Sequence, residues 1–207
     1  GNFDFLITDI AENVVLTGKS DNTFQELSHT SIFLKSAWGW SNHFSDFDND
    51  GDEDVLISTG FEQPNLNSYY ENSYRNGGST LDDKTPSSGI IDKNISHSSV
   101  VFDFDNDGDL DVYFANLKDT STFYENTSIN GQSNTNWLKV KLEGTLSNKD
   151  GIGTTVEIDT DFGTQIRYYT GVSLYSQSLQ SVHFGIGSET SIKELRVNWP
   201  SGITDTY

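Results

Sequence analysis

Short runs of β-branched and aromatic residues recur along this chain, separated by clusters of Asn, Asp, Gly and Ser. Val55–Ser58 and Val112–Ala115 are the clearest of these runs, and no segment keeps a helical period beyond a turn or two. The pattern predicts an all-β protein built from short strands. Two segments align without a gap: Asn42-His-Phe-Ser-Asp46 through Asp54-Val-Leu-Ile-Ser58, and Ser99-Val-Val-Phe-Asp103 through Asp111-Val-Tyr-Phe-Ala115. Each is followed by a Tyr-Glu-Asn marker, Tyr70-Glu71-Asn72 and Tyr124-Glu125-Asn126. A third, shortened copy opens the chain, where Asn2-Phe-Asp4-Phe-Leu-Ile-Thr8 matches Asp52-Glu-Asp54-Val-Leu-Ile-Ser58 without the residues that precede it. A repeat of about fifty to sixty residues made of short strands has the size of one four-stranded propeller blade. The expectation is an incomplete β-propeller-like array: a partial blade over 1–36, a blade over 37–92 and a blade over 93–134. The missing first half of the opening copy suggests a fragment of a longer polypeptide.

From about residue 135 the texture changes. Leu138, Val140 and Leu142 alternate with polar residues, as do Leu195, Val197 and Trp199. Both runs read as half-buried antiparallel strands. Gly151, Gly153, Gly163, Gly171, Gly185 and Gly187 fall between them as turns or close approaches. Residues 135–207 therefore read as a second, small antiparallel β-domain, joined through a linker near Gly131–Asn134.

Charge narrows the function classes. The net charge is −19, and residues 37–134 hold eighteen acids against four bases, which leaves that stretch at −14. A surface of this sign excludes phosphate-backbone binding, so no nucleic-acid partner is expected. No apolar run approaches the roughly eighteen residues a membrane helix needs, so no membrane insertion is expected either. The chain has no cysteine, which removes thiol catalysis, zinc-thiolate sites and disulfides. Aromatic residues make up 13% and punctuate the acidic stretch, so its carboxylates belong to a fold and not to a disordered tail.

Those carboxylates have a spacing. In Asp46-x-Asp48-x-Asp50-Gly51-Asp52-x-Asp54, positions 1, 3 and 5 can turn their side chains toward one point, and Gly51 permits the bend that follows. Asp52 can offer its backbone carbonyl, and Asp54 can close the cage. Asp103, Asp105, Asp107, Asp109 (through its backbone) and Asp111 repeat those roles. Hard oxygen ligands in this number suit Ca2+, and two calcium sites are expected. The four carboxylates at positions 1, 3, 5 and 9 repel one another unless a divalent ion reverses the local interaction. A solvated acidic turn would explain one such loop; a full set repeated in register favours the cage. An EF-hand would need a bidentate glutamate at position 12 and flanking helices, whereas position 12 is Ile57 in one loop and Phe114 in the other.

Both loops, with strands on either side, resemble the FG-GAP/VCBS repeats of integrin-type β-propellers. The C-terminal stretch resembles the ASPIC/UnbV domain that follows such repeats in proteins similar to cartilage acidic protein. That second resemblance is carried by Asn136-Trp-Leu-Lys-Val140, Ser147-Asn-Lys-Asp-Gly-Ile-Gly153, Tyr175-Ser-Gln177, His183-Phe-Gly-Ile-Gly187 and Asn198-Trp-Pro-Ser-Gly202. It implies an extracellular or cell-surface protein with calcium in its blades. Two full metal loops and part of a third are too few for a closed ring.

The remaining polar and aromatic residues have simpler readings. His29, His43 and His97 read as surface or loop residues, and His183 as a structural residue. Ser147–Gly151 reads as a turn. Trp38, Trp40, Tyr69, Tyr70, Tyr168, Tyr169 and Tyr175 could stack on sugars but suit β cores and blade interfaces better. No catalytic constellation emerges. The expected function is a non-enzymatic, calcium-rigidified scaffold for cell adhesion or a similar role, presenting loops to a protein or glycan partner. Open blade edges offer a route to self-association. The alternative is a lectin-like binder or enzyme with a pocket in the C-terminal domain around Tyr175, Gln177 and His183.

Overall fold

A computed structural model describes residues 4–9, 13–26, 38–61, 66–73, 81–91, 93–129, 132 and 135–207. His29 and most of the expected linker at Gly131–Asn134 lie outside the described residues. All regular elements among the described residues are strands.

Three antiparallel sheets make up the repeats. The first is β1 (Phe5–Ile7), β2 (Val14–Gly18) and β3 (Phe24–Glu26). The second is β4 (Gly39–Ser45), β5 (Asp54–Thr59), β6 (Ser68–Asn72) and β7 (Leu81–Asp83); the third is β8 (Ser96–Phe102), β9 (Asp111–Asn116) and β10 (Thr122–Tyr124). Strand β1 corresponds to β5, as the alignment of the shortened first copy predicts. Strands β4 and β8 carry the same register shift, between Gly39 and Asn42 in one and between Ser96 and Ser98 in the other. A bulge at matching positions marks the two sheets as copies of one unit.

Strand β5 explains why the sheets stack. Its run Asp-Val-Leu-Ile-Ser-Thr is buried throughout, because neighbours cover both faces. Val55 and Ile57 pack with Leu6, Val15 and Tyr70, toward the first sheet. Leu56 points the other way, into a cluster with Phe47 of its own sheet's loop and with Leu110, Val112 and Phe114 of the third sheet and its loop. Alternate residues on opposite faces produce this sharing, and a strand buried on both sides reads as a continuous apolar run. Polar groups fasten the same seam: Ser41, Ser58 and Ser99 form a buried ring of hydroxyl hydrogen bonds at 2.8–3.0 Å. Among the described residues no sheet closes into a barrel or ring, so the architecture is an all-β arc of propeller-like blades.

The C-terminal domain is a small sandwich. Strands β11 (Asn136–Val140) and β16 (Val182–Gly187) form one layer. The other layer runs in the order β13 (Gly163–Tyr169), β12 (Thr154–Thr160), β17 (Glu194–Asn198) and β18 (Thr204–Thr206). Val156, Ile158, Val182, Phe184 and Val197 fill the space between them, with Leu138, Val140 and Leu142 at the margin. A separate hairpin, β14 (Val172–Ser173) and β15 (Ser176–Gln177), projects from the sandwich. The Ser147–Gly151 segment is the turn expected of it: Gly151 has φ of 73° and donates to the Asn148 carbonyl at 3.0 Å.

Two histidine expectations need correction. His43 lies on β4 and His97 on β8, both half-buried. His43 Nε2 is 3.0 Å from the Ser99 carbonyl of the next blade, and His97 packs on the Trp40 ring at 4.3 Å. Each is a blade-interface residue because its strand faces a neighbouring sheet, which a lone histidine in the sequence does not reveal.

Candidate metal centre

Each Asp loop joins the first and second strands of its repeat, so strand pairing brings its two ends together. The backbones are alike. Asn49 and Asn106, at position 4, have φ of 60° and 63°; Gly51 and Gly108, at position 6, both have φ of 97°. Asn tolerates the left-handed region and glycine occupies it freely, so these two residue types set the path of the loop. Side chains then reinforce it. Gly51 N–H donates to Asp46 Oδ2 at 2.9 Å, and Gly108 N–H to Asp103 Oδ2 at 2.9 Å. Asp48 and Asp50 accept from the amides two residues ahead, as do Asp105 and Asp107.

The carboxylates at position 9 have a second duty. Asp54 accepts from Phe47 N–H at 3.1 Å and Asn72 N–H at 2.8 Å; Asp111 accepts from Phe104 N–H at 2.7 Å and Asn126 N–H at 2.8 Å. Asp4 in the shortened copy takes a comparable bond from Gly18 N–H at 2.9 Å. This aspartate ties the loop to the Tyr-Glu-Asn marker through backbone amides, while the asparagine side chains bond separately, Asn72 Nδ2 to the Glu53 carbonyl at 3.3 Å and Asn126 Nδ2 to the Phe47 carbonyl at 2.8 Å.

Each loop gathers carboxylates close enough that they could hold a metal ion. One carboxylate oxygen each from Asp46, Asp48 and Asp50 lie within 4.8 Å of one another, and so do oxygens of Asp103, Asp105 and Asp111. Asp54 is not in the first of these groups, nor Asp107 in the second. Asp52 and Asp109 were expected to act through their backbones. The Asp109 side chain is nevertheless buried with neither oxygen accepting a bond from an N–H or hydroxyl group. Asp46 Oδ1 and Asp103 Oδ1 are buried without partners as well. Burial pushes Asp46 and Asp54 up to about 8, and it raises Asp48 and Asp111 too. Asp109 rises to about 7, through burial and the adjoining Asp107. Buried carboxylate oxygens without donors are costly unless a cation compensates them. All-oxygen donors of this kind fit calcium; bound there, it would neutralise the loops and tie their ends together.

Comparison with known families finds a match at each end of the chain. An FG-GAP-like repeat model matches residues 1–57, and an ASPIC and UnbV model matches residues 144–207. The chain carries an FG-GAP-like repeat and an ASPIC/UnbV domain. Comparison with curated proteins gives no match. The first Asp loop lies inside the FG-GAP-like match; the second lies beyond it but repeats its left-handed residues and its internal hydrogen bonds.

The ASPIC/UnbV domain sits directly on the loops of the repeats. From β16, Gly185 N–H donates to Asp46 Oδ2 at 3.0 Å and Gly187 N–H to the Asn49 carbonyl at 2.9 Å. His183 Nε2 is 2.7 Å from Asn49 Oδ1, while Asn49 Nδ2 donates to the Gly108 carbonyl at 2.9 Å. That pattern makes Nε2 the donor, and burial with the nearby Arg167 and Lys139 lowers His183 to about 4, which favours the neutral ring. Arg167 pairs with Glu53 at 3.2 Å. From β11, which pairs with β16, Lys139 pairs with Asp103 and Trp137 covers Gly108. A cavity of about 250 Å³ remains between the loops and this domain, lined among others by Asp46, Glu53, Asp103, Lys139, Arg167 and His183. Tyr175 and Gln177 do not line it; they lie on or beside the β14–β15 hairpin, where the Ser176 hydroxyl donates to the Ser99 carbonyl at 2.9 Å. The acid spacing was visible in the sequence, whereas the roles of Asn49, Gly185 and Lys139 were not. An Asn at position 4 of both loops was the available signal for the first of these.

Proposed function

We propose that this chain is a non-enzymatic, extracellular interaction module whose two Asp loops bind calcium and thereby stiffen the surface on which the C-terminal domain rests. The observation that carries the reading is the set of buried carboxylate oxygens without donors, at Asp46, Asp103 and Asp109, within two equivalent loops. FG-GAP-like repeats are typical of extracellular proteins, where calcium is available at the millimolar levels such modules use. No helix among the described residues is long and apolar enough to cross a membrane. Two features support a partner-binding role. Phe5, Ile7 and Phe24 are exposed on the first sheet, with the Phe5 and Phe24 rings 5.1 Å apart, a surface suited to a protein partner or a second copy. Phe61, Trp38 and Trp40 stack in a row beside Tyr175, with centroids 4.0 Å and 5.7 Å apart along it, and the exposed Phe61 end of that row is the part open to a partner.

Asp48→Ala and Asp105→Ala test the metal reading without touching Asp46 or Asp103, which also contact the C-terminal domain. In wild-type protein calcium should raise the melting temperature, with about 1.4 kcal/mol of added stability per site for each tenfold excess over that site's dissociation constant. Each variant should lose part of that gain, and the double variant nearly all of it. Equal gains in all four proteins would mean that calcium acts elsewhere.

A further inference from the structure

The two loops share their left-handed positions and their internal hydrogen bonds, yet the C-terminal domain meets them with different chemistry. At the first loop the group offered to the leading carboxylate is neutral, the Gly185 amide on Asp46 Oδ2. At the second it is a cation, the Lys139 ammonium on Asp103 Oδ2. The Asp103 side chain is 2% exposed and that of Lys139 22%, so the pair is largely shielded from water. Lys139 is held in place by its strand. Its Nζ lies 5.1 Å from the centroid of the Trp137 ring, and Trp137 packs so closely over Gly108 that a Cβ there would overlap the indole. Asp103 Oδ1 stays buried and unpartnered, and oxygens of Asp103, Asp105 and Asp111 lie within 4.8 Å of one another, so the loop keeps capacity for a divalent ion beside the ammonium.

We propose that Lys139 is a tethered cation at the second loop, which seats β11 on that loop when calcium is scarce and competes with calcium for Asp103. The inference rests on the calcium reading above. An ammonium and a divalent ion sharing one carboxylate repel each other, and the ion must displace the lysine or bind against its charge. Among the described residues no ammonium or guanidinium bonds the leading carboxylate of the first loop: Arg167, a cation whose charge reaches Asp46, is paired with Glu53. The first loop therefore fills first, and the second fills at higher calcium, where release of Lys139 loosens Trp137 from Gly108. The second loop is thus the point at which calcium level is passed to the C-terminal domain.

Calorimetric titration of the chelator-treated full chain carrying Asp48→Ala isolates the second loop while leaving the Asp46–Gly185 contact in place. Adding Lys139→Met to that protein should tighten calcium binding by roughly tenfold, a value set by one like charge near a partly exposed site. Lys139→Gln should act in the same direction and guards against a folding defect particular to Met, and Lys139→Arg should leave binding weak. Calcium should also change the tryptophan fluorescence of the Asp48→Ala protein, and Trp137→Phe should remove that change. The same calcium affinity at the second loop in the Asp48→Ala parent and in its Lys139→Met and Lys139→Gln derivatives overturns the inference and leaves the calcium reading standing. No uptake by wild type or any variant overturns the calcium reading itself.

Discussion

Asp46 and Asp54 are carboxylates that the fold makes reluctant to ionise. Burial is the main cause for both, the neighbouring Asp48 adds to it, and each is pushed up to about 8. A folded-state value above the unfolded one contributes stability that is fully present below the unfolded value near 3.8 and is lost as pH rises through the folded value. The calcium-free protein should therefore lose stability from about pH 4 to about pH 8, because the unfolded chain ionises these groups freely. Calcium reverses the sense: protons and the ion compete for the same oxygens, so affinity should rise over the same window. Chemical denaturation at several pH values, with chelator and with calcium, gives both slopes; parallel curves in the two series would count against metal ligation by these groups. At this scale the acid spacing was legible in the sequence and the division of labour was not. Asp54 and Asp111 had the look of closing ligands, but each also accepts from a backbone amide of its own loop and from the asparagine amide of the Tyr-Glu-Asn marker, a role fixed by tertiary pairing. Lys139 could not be found at all, since its partner lies 36 residues away across a domain boundary.

Strand β16 shows how an element can be shaped by what it must touch. Gly185 does not need a left-handed φ; it needs the absence of a side chain. A Cβ there would overlap both Asp46 Oδ2 and the Asn49 backbone. Backbone cannot yield as a flexible side chain can, so Gly185→Ala should weaken docking of the C-terminal domain by roughly 1–3 kcal/mol. The sandwich core, centred on Val156, Ile158 and Phe184, should survive. Hydrogen exchange separates the two: the Gly187 amide, which donates to Asn49, should lose protection while β12 keeps it. Loss of protection throughout β12 would mean that the glycine serves the domain's own folding. The strands themselves were readable from alternation. Leu138 and Val140 lie on β11, and Leu195 and Val197 on β17, as expected. The glycine turns were readable too, but Gly185 was one of several, and only its neighbour across the interface distinguishes it.

At the scale of the whole molecule, the blades form an arc whose middle sheet is buried on both faces of β5, and the C-terminal domain closes over the loops on one rim. The arc and its repeat offset were visible in the sequence because blades repeat. The seat of the C-terminal domain was not, since nothing in either half announces which rim the other will meet. Because that domain rests on the Asp loops, calcium bound there would have two roles at once, joining the ends of each loop and setting the charge of the surface beneath Gly185 and Lys139. The most direct test is calcium uptake by chelator-treated wild-type protein, followed by calorimetry to millimolar free ion. Two ions per chain are predicted, with dissociation constants on the order of 10⁻⁴ to 10⁻³ M. Uptake of no calcium at millimolar concentration would contradict metal binding by these loops.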